Sequence, residues 1–360
     1  MSDGHPFIFK EKVMKAPIFT GNWGKCHIQG IAVDEQNGYI YYSFTTKLVK
    51  ATLDGEIIGS VDGLAGHLGC IVFNKQDGRV YGSLEYKNDS IGKGILKAIG
   101  KEQSFEDSFY IAIFDVSKID RLDMDAEKDS IMTSVYLKEV ADDFNGASEN
   151  GAKHKYGCSG IDGTAIGPMF GEKGGKSYLF VAYGIYGDTE RCDNDHQIIL
   201  CYDLEQLKEY EMPLIHSAMH KSGPEKPSGK YFVYTGNTTY GVQNMEYCEQ
   251  ENAYFMAVYR GTKKEFPNYY LFAIDASEKP VFKKLRGIDE EGYELSLLKK
   301  GLYHQQSGTY GYNFKYGSTG MYCFENGDWL ISEEHLSQSG NCSFIYTYVR
   351  DENRGFVLKD

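Results

Sequence analysis

Three acidic side chains combine type and position in a way that suits bond-breaking chemistry. Glu85 closes the apolar run Arg79 to Glu85, and Glu333 and Glu334 follow the apolar Trp329-Leu330-Ile331. A carboxyl group at the end of an apolar strand borders a low-dielectric interior, which raises its pKa and suits it to donate a proton. Two such groups across a sugar are what glycoside hydrolysis needs: one protonates the leaving oxygen while the other attacks or activates water. Glu85 with Glu333 or Glu334 is the leading pair.

Histidine and cationic residues open a second chemistry. His27 and His67 each stand three residues before a small residue that opens a strand, Gly30 and Cys70. Equivalent positions put the two imidazoles near one another, where they could act as acid and base, bind an anion, or ligate a metal. The same ring of positions otherwise offers only Gln29, Asp162, Gln243 and Thr319. The expectation is therefore no cofactor, with a metal held by His27 and His67 the less favoured option. Arg260, with Lys47, Lys87, Lys155 and Lys315, would make a locally basic mouth able to hold a carboxylate. His27, His67 or Tyr183 could then remove an adjacent carbon-bound proton, as a uronate lyase requires. His216 and His220 have helical i, i+4 spacing without a third ligand and read as surface residues. Gly171 to Lys176 lacks phosphate-loop spacing and reads as a hairpin turn.

Flat side chains recur beside glycine, at Trp23-Gly24, Tyr156-Gly157, Tyr240-Gly241 and Tyr316-Gly317, with Ala65-Gly66 the exception. Trp23, Tyr156, Tyr240 and Tyr316 are either stacking platforms for a sugar, with Gln243 as a polar neighbour, or wedges between packed sheets.

The elements that position these residues are written as a repeat. A small residue followed by apolar ones opens a short strand at Gly30, Cys70, Gly163, Asn244 and Gly320, and a third strand ends on Asp54, Asp115, Asp203, Asp275 and Asp351. Asn37-Gly38, Asp54-Gly55, Asp77-Gly78 and Asn326-Gly327 are hairpin turns between such runs. Each unit reads as four antiparallel strands, the fourth unit ending on Val281 to Leu285. Units that must bury their faces against one another arrange radially. The chain resembles a five-bladed β-propeller, an all-β fold of five four-stranded antiparallel blades around a central channel.

One domain over 1–360 is expected, with blades at about 23–62, 63–141, 154–236, 239–288 and 315–360. Residues 1–22 form a cap or a closing strand, with Phe7 to Lys10 the stretch suited to pairing. The aspartates cap turns. The segments entering the inner strands and those leaving the second strands converge on one mouth, and the long connection Tyr86 to Asp107 is a candidate lid.

Composition narrows the partners. The 360 residues carry a formal charge of −13, which disfavours nucleic acid. No run is long and apolar enough for a membrane span. None of the 8 cysteines forms a C-x-x-C pair, so zinc-ribbon spacing is absent and reduced core thiols are expected. The setting is cytoplasmic if the sequence is complete, and secreted or periplasmic if a leader has been removed. The readings that result are a glycoside hydrolase or uronate lyase acting at the mouth on an oligosaccharide, or a non-catalytic propeller holding a small ligand or protein partner on one face.

Overall fold

A computed structural model describes residues 17–24, 26–149, 151–337 and 340–359. The first unit forms Ile28–Asp34, Tyr39–Phe44, Lys47–Thr52 and Ile57–Asp62, each antiparallel to the next. The Asn37-Gly38 turn works as its residue types require. Asp34 Oδ1 accepts the Asn37 amide at 3.1 Å, and Gly38 takes a φ of +72° that a side chain would strain. The strands are almost wholly buried on both faces, because each blade is covered by its neighbours.

The second blade is His67–Asn74, Arg79–Tyr86, Ser108–Phe114 and Met132–Tyr136. The third begins with Cys158–Pro168, Ser177–Ile185, His196–Asp203 and Gly229–Tyr234, and the Gly171 to Lys176 turn lies between its first two strands. The fourth contains Thr238–Cys248, Ala253–Arg260 and Leu271–Asp275. The fifth contains Met321–Cys323, Trp329–Ser337 and Gly340–Asp351. The inner strands pack in a closed cycle, first on second, second on third, third on fourth, fourth on fifth and fifth on first. The protein is an all-β, five-bladed propeller.

Close approach at the channel explains the glycine that opens the first, third and fifth units. A Cβ on Gly30 would stand 2.9 Å from the Ile71 backbone nitrogen, and one on Gly163 2.8 Å from Val242 Cγ1. Side chains lock the ring across blades: Thr164 Oγ1 donates to the Cys70 carbonyl at 3.0 Å, and Asn244 Nδ2 reaches the carbonyls of Gln29 and Ser318 at 2.8 Å each. Three of the five third-strand aspartates cap turns as expected. Asp203 accepts the Glu205 amide, Asp275 that of Ser277, and Asp351 those of Asn353 and Arg354.

The outer edges of the third and fourth blades differ from the sequence reading. Val281–Lys284 does not complete the fourth blade. It pairs with Glu291–Leu295, which lies parallel to Gly229–Tyr234, so both extend the third blade to six strands. Phe282 packs against Tyr293 with ring centroids 5.1 Å apart and Lys283 pairs with Glu294 at 2.7 Å, contacts that this partner supplies. Among the described residues, the fourth blade's outer edge is met by isolated bridges from Leu297 and Tyr312. In the fifth blade, Gly340–Asp351 is flanked at one end by Gly355–Leu358 and at the other by Ile18–Asn22. The N-terminal strand therefore closes the ring, with Thr20 Oγ1 donating to the Ser343 carbonyl and accepting its amide. Phe7 to Lys10 lies outside the described residues.

The Tyr86 to Asp107 connection folds into the helix Ser90–Ala98, capped by Asp89, whose Oδ1 accepts the Gly92 amide at 2.8 Å. No helix among the described residues is long and apolar enough to cross a membrane.

Candidate functional site

A cavity of about 1110 Å³ opens where the chain enters the inner strands, and every blade contributes to its wall. His27 and Gln29 come from the first blade, His67, Glu85 and Lys87 from the second, Ser159 and Asp162 from the third, Tyr240, Gln243 and Tyr259 from the fourth, Thr319 and Glu334 from the fifth. Trp23 lines one side, and Ile91 and Ile95 of the Ser90–Ala98 helix cover another. The suspected lid is therefore a helix that forms part of the wall.

The floor is a buried polar cluster. Glu85 is 6% exposed, with Oε1 2.6 Å from Lys87 Nζ and Oε2 accepting the Ile161 amide at 3.1 Å. Lys87 Nζ also donates to the Ser159 carbonyl at 2.9 Å. Burial works to lower the Lys87 pKa, yet the Glu85 carboxylate outweighs it and holds the ammonium above its ordinary range. Asp162 is pushed well above the usual carboxyl range, by burial first and then by the Glu85 charge, against opposing pulls from Lys87, the Cys70 amide and Gln243. His67 is lowered by burial, with Glu85 opposing, so its imidazole stays neutral. Asp162 Oδ1 and His67 Nδ1 are both buried and make no hydrogen bond to the described residues.

The rim is different in character. His27 Nδ1 lies 2.5 Å from Glu334 Oε1, and this hydrogen bond raises the His27 pKa against partial burial. Tyr240 is 45% exposed and Tyr259 40% exposed, so each offers a ring to the cavity. The Tyr259 hydroxyl is pushed up to about 12 by burial and then by the charges of Asp162 and Glu334.

Of the residues singled out from sequence, His27, His67, Glu85, Glu334, Trp23, Tyr240 and Gln243 meet at this cavity. Five others do not. Glu333 alternates to the other face of its strand, where Oε1 accepts the Tyr348 hydroxyl. Tyr183 is fully buried and donates to Asp143 Oδ2 at 2.9 Å. Tyr156 is a wedge, 4% exposed, donating to Glu290 Oε2 at 2.6 Å beneath the Lys155 and Lys230 ammonium groups. Tyr316 packs on Phe314, and Arg260 lies over the Tyr270 ring, both away from the cavity wall.

The basic mouth also dissolves. Lys47 pairs with Asp62 at 2.6 Å, Lys155 with Glu290 at 3.0 Å, and Lys315 sits over the Tyr316 ring, which leaves Lys87 at the floor. His216 and His220 are packed rather than superficial. His216 Nε2 is 3.1 Å from the Tyr86 hydroxyl, and His220 Nε2 is 2.9 Å from Ser134 Oγ. Among the described residues no three His, Cys, Asp or Glu side chains converge as a metal site.

Sequence reasoning missed Asp162 and Tyr259 as site residues. Asp162 had a signal: at the position just before each opener the five units read Gln29, Gly69, Asp162, Gln243 and Thr319, and it is the sole acid among them. Tyr259 had none, since it precedes Arg260 in a run of alternating residues whose register was not fixed.

No family model matches the sequence, and no curated protein matches it. Among solved structures the chain is similar to a GH43 β-1,3-galactosidase with galactodeoxynojirimycin, at 12% identity over 95% of this chain and 98% of that one, TM-score 0.43. It is similar to a GH43_1 enzyme from Xanthomonas citri complexed with xylose, at 10% identity over 96% and 94%, TM-score 0.42. A third likeness is to the PQQ domain of a pyranose dehydrogenase from Coprinopsis cinerea, at 10% identity over 88% and 81%, TM-score 0.36. These likenesses are distant, and the propeller fold rests on the strand pairings.

Proposed function

We propose that the cavity is the active site of a carbohydrate-active enzyme that hydrolyses a glycosidic bond. The observation that carries this reading is the pair of unsatisfied polar atoms at the floor, Asp162 Oδ1 and His67 Nδ1. A buried polar atom without a partner costs about 1–3 kcal/mol, so a floor that keeps two of them is suited to a ligand that supplies the missing bonds. Sugar hydroxyls are such partners, and the rings of Trp23, Tyr240 and Tyr259 suit the apolar faces of a pyranose.

The carboxyl groups differ in environment, which is how acid and base roles separate. Asp162, kept neutral by burial, is the group that protonates the glycosidic oxygen. Glu334, at the rim beside His27, attacks the anomeric carbon or takes a proton from the water that does so. Glu85 and Lys87 hold the floor in place. The lyase alternative loses both its tyrosine base and its arginine clamp, because Tyr183 and Arg260 stand outside the cavity.

A binding role without chemistry draws on one observation, that Glu85 is fully engaged by Lys87 and the Ile161 amide. An oligosaccharide panel with a reducing-end readout separates the two. Hydrolysis predicts release that falls at least about 100-fold in Asp162→Asn and in Glu334→Gln. Sugar binding without release, unchanged in both variants, would leave a binding module. Release of an unsaturated uronate would restore the lyase.

A further inference from the structure

The opposite end of the channel carries chemistry that sugar cleavage does not use. Cys248 ends the inner strand of the fourth blade and Cys323 ends that of the fifth, so the two occupy equivalent positions on neighbouring blades. Their sulfur atoms are 3.2 Å apart, with the Cys323 thiol donating to Cys248 Sγ. A disulfide needs about 2.05 Å, so roughly an ångström of closure, shared by two side chains, would form it. A cavity of about 270 Å³, lined by Cys323, Glu246, Gln250 and Lys75, opens beside Cys323, and Cys248 lies directly behind that thiol. The cavity is wide enough for a small oxidant.

We propose that Cys248 and Cys323 are a peroxide-oxidisable dithiol that closes into a disulfide joining the fourth and fifth blades. Cys248 is the attacking sulfur: the hydrogen bond it receives from Cys323 favours its thiolate, lowering its pKa in spite of burial. Burial holds the neighbouring Glu246 carboxyl up to about 8, so at neutral pH it is uncharged and does not repel that thiolate.

The Cys248 thiolate attacks one peroxide oxygen, the O–O bond breaks, and the departing hydroxide takes up the thiol proton as water. The resulting sulfenic acid is attacked by the Cys323 sulfur. The S–O bond then breaks, and hydroxide leaves with the Cys323 proton as a second water. Two thiols and one hydrogen peroxide thus give one disulfide and two waters, with two electrons passing from sulfur to oxygen.

The experiment treats the folded full chain with hydrogen peroxide, blocks remaining thiols by alkylation, and maps peptides without reduction. The expected result is a Cys248–Cys323 linked pair, reversed by dithiothreitol, with a rise in melting temperature on the order of 5 °C. In Cys323→Ser a 1,3-dione probe should label Cys248, and in Cys248→Ser position 323 should stay unlabelled. Peroxide-treated wild type in which both cysteines are still alkylated would overturn the proposal, as would Cys248 oxidised to sulfinic acid beside a free Cys323. Either result is read on the wild-type chain, so it stands even if a serine variant does not fold.

Discussion

Glu334 and His27 test the rim one proton at a time. Their 2.5 Å contact favours the imidazolium, so the His27 pKa lies above 6.5 in the folded protein. The stabilisation from this contact is full below the unfolded value and is lost as pH rises through the folded one. In Glu334→Gln the His27 midpoint, followed by NMR of the imidazole, should fall back towards 6.5; an unmoved midpoint would mean the contact is absent in solution. The floor responds differently. Glu85→Gln takes from the Lys87 ammonium its nearest counter-charge and leaves it Asp89 at 3.9 Å, which costs about 3 kcal/mol. Urea unfolding should show that loss, whereas Glu334→Gln, at a half-open rim, should change stability little. Activity lost in Glu85→Gln together with such destabilisation therefore reports a supporting role, and activity lost in Glu334→Gln at unchanged stability reports chemistry.

At the scale of the elements, the inner strands and the lid helix make opposite predictions for the same substitution. Gly30→Ala drives a methyl to within 2.9 Å of the Ile71 nitrogen and 3.0 Å of Cys70 Cα, backbone atoms that cannot step aside. A loss of about 1–3 kcal/mol is expected. Gly94 lies inside the Ser90–Ala98 helix, where an added methyl would meet nothing within 4 Å, so Gly94→Ala should stabilise by roughly 0.5–1 kcal/mol. Denaturant midpoints check both, and a tolerated Gly30→Ala would show that the ring can widen. The same contrast shows what was legible beforehand. The strands were readable because small openers, alternating residues and Asn-Gly or Asp-Gly turns repeat wherever the ring forces them. The lid helix was not, since Gly92 and Gly94 weaken its pattern, and what sets it is the Asp89 cap and the burial of Leu96. The Val281–Lys284 pairing was hidden because its partner, Glu291–Leu295, comes later in the chain. In the site, Glu333 and Glu334 were indistinguishable until strand register chose which one faces the cavity. Asp162 lies where the inner strand shifts register between Ile161 and Thr164, a local irregularity that no period-2 pattern foretells.

Across the whole molecule, the channel has a half-buried carboxyl group with a raised pKa at each end, Asp162 above and Glu246 below. Glu246 has its pKa raised to about 8 from an ordinary 4.5, chiefly by burial, while the Cys323 amide donates to its Oε1 at 3.1 Å. The folded protein thus binds this proton more tightly than the unfolded chain does. Stability must then fall as pH rises from about 4.5 to about 8, with a slope of at most about 1.4 kcal/mol per pH unit, and level off above. The formal charge of −13 adds self-repulsion over part of the same range, so the wild-type slope alone is ambiguous. Glu246→Gln resolves it, because glutamine keeps an oxygen for the Cys323 amide and removes only the titration. Urea unfolding at about pH 5, 6, 7 and 8 should show the variant gaining on wild type at each step upward. Parallel curves would mean that Glu246 is ionised in the folded protein at neutral pH. In that case a negative charge would stand beside Cys248, and peroxide oxidation of the pair should slow as well.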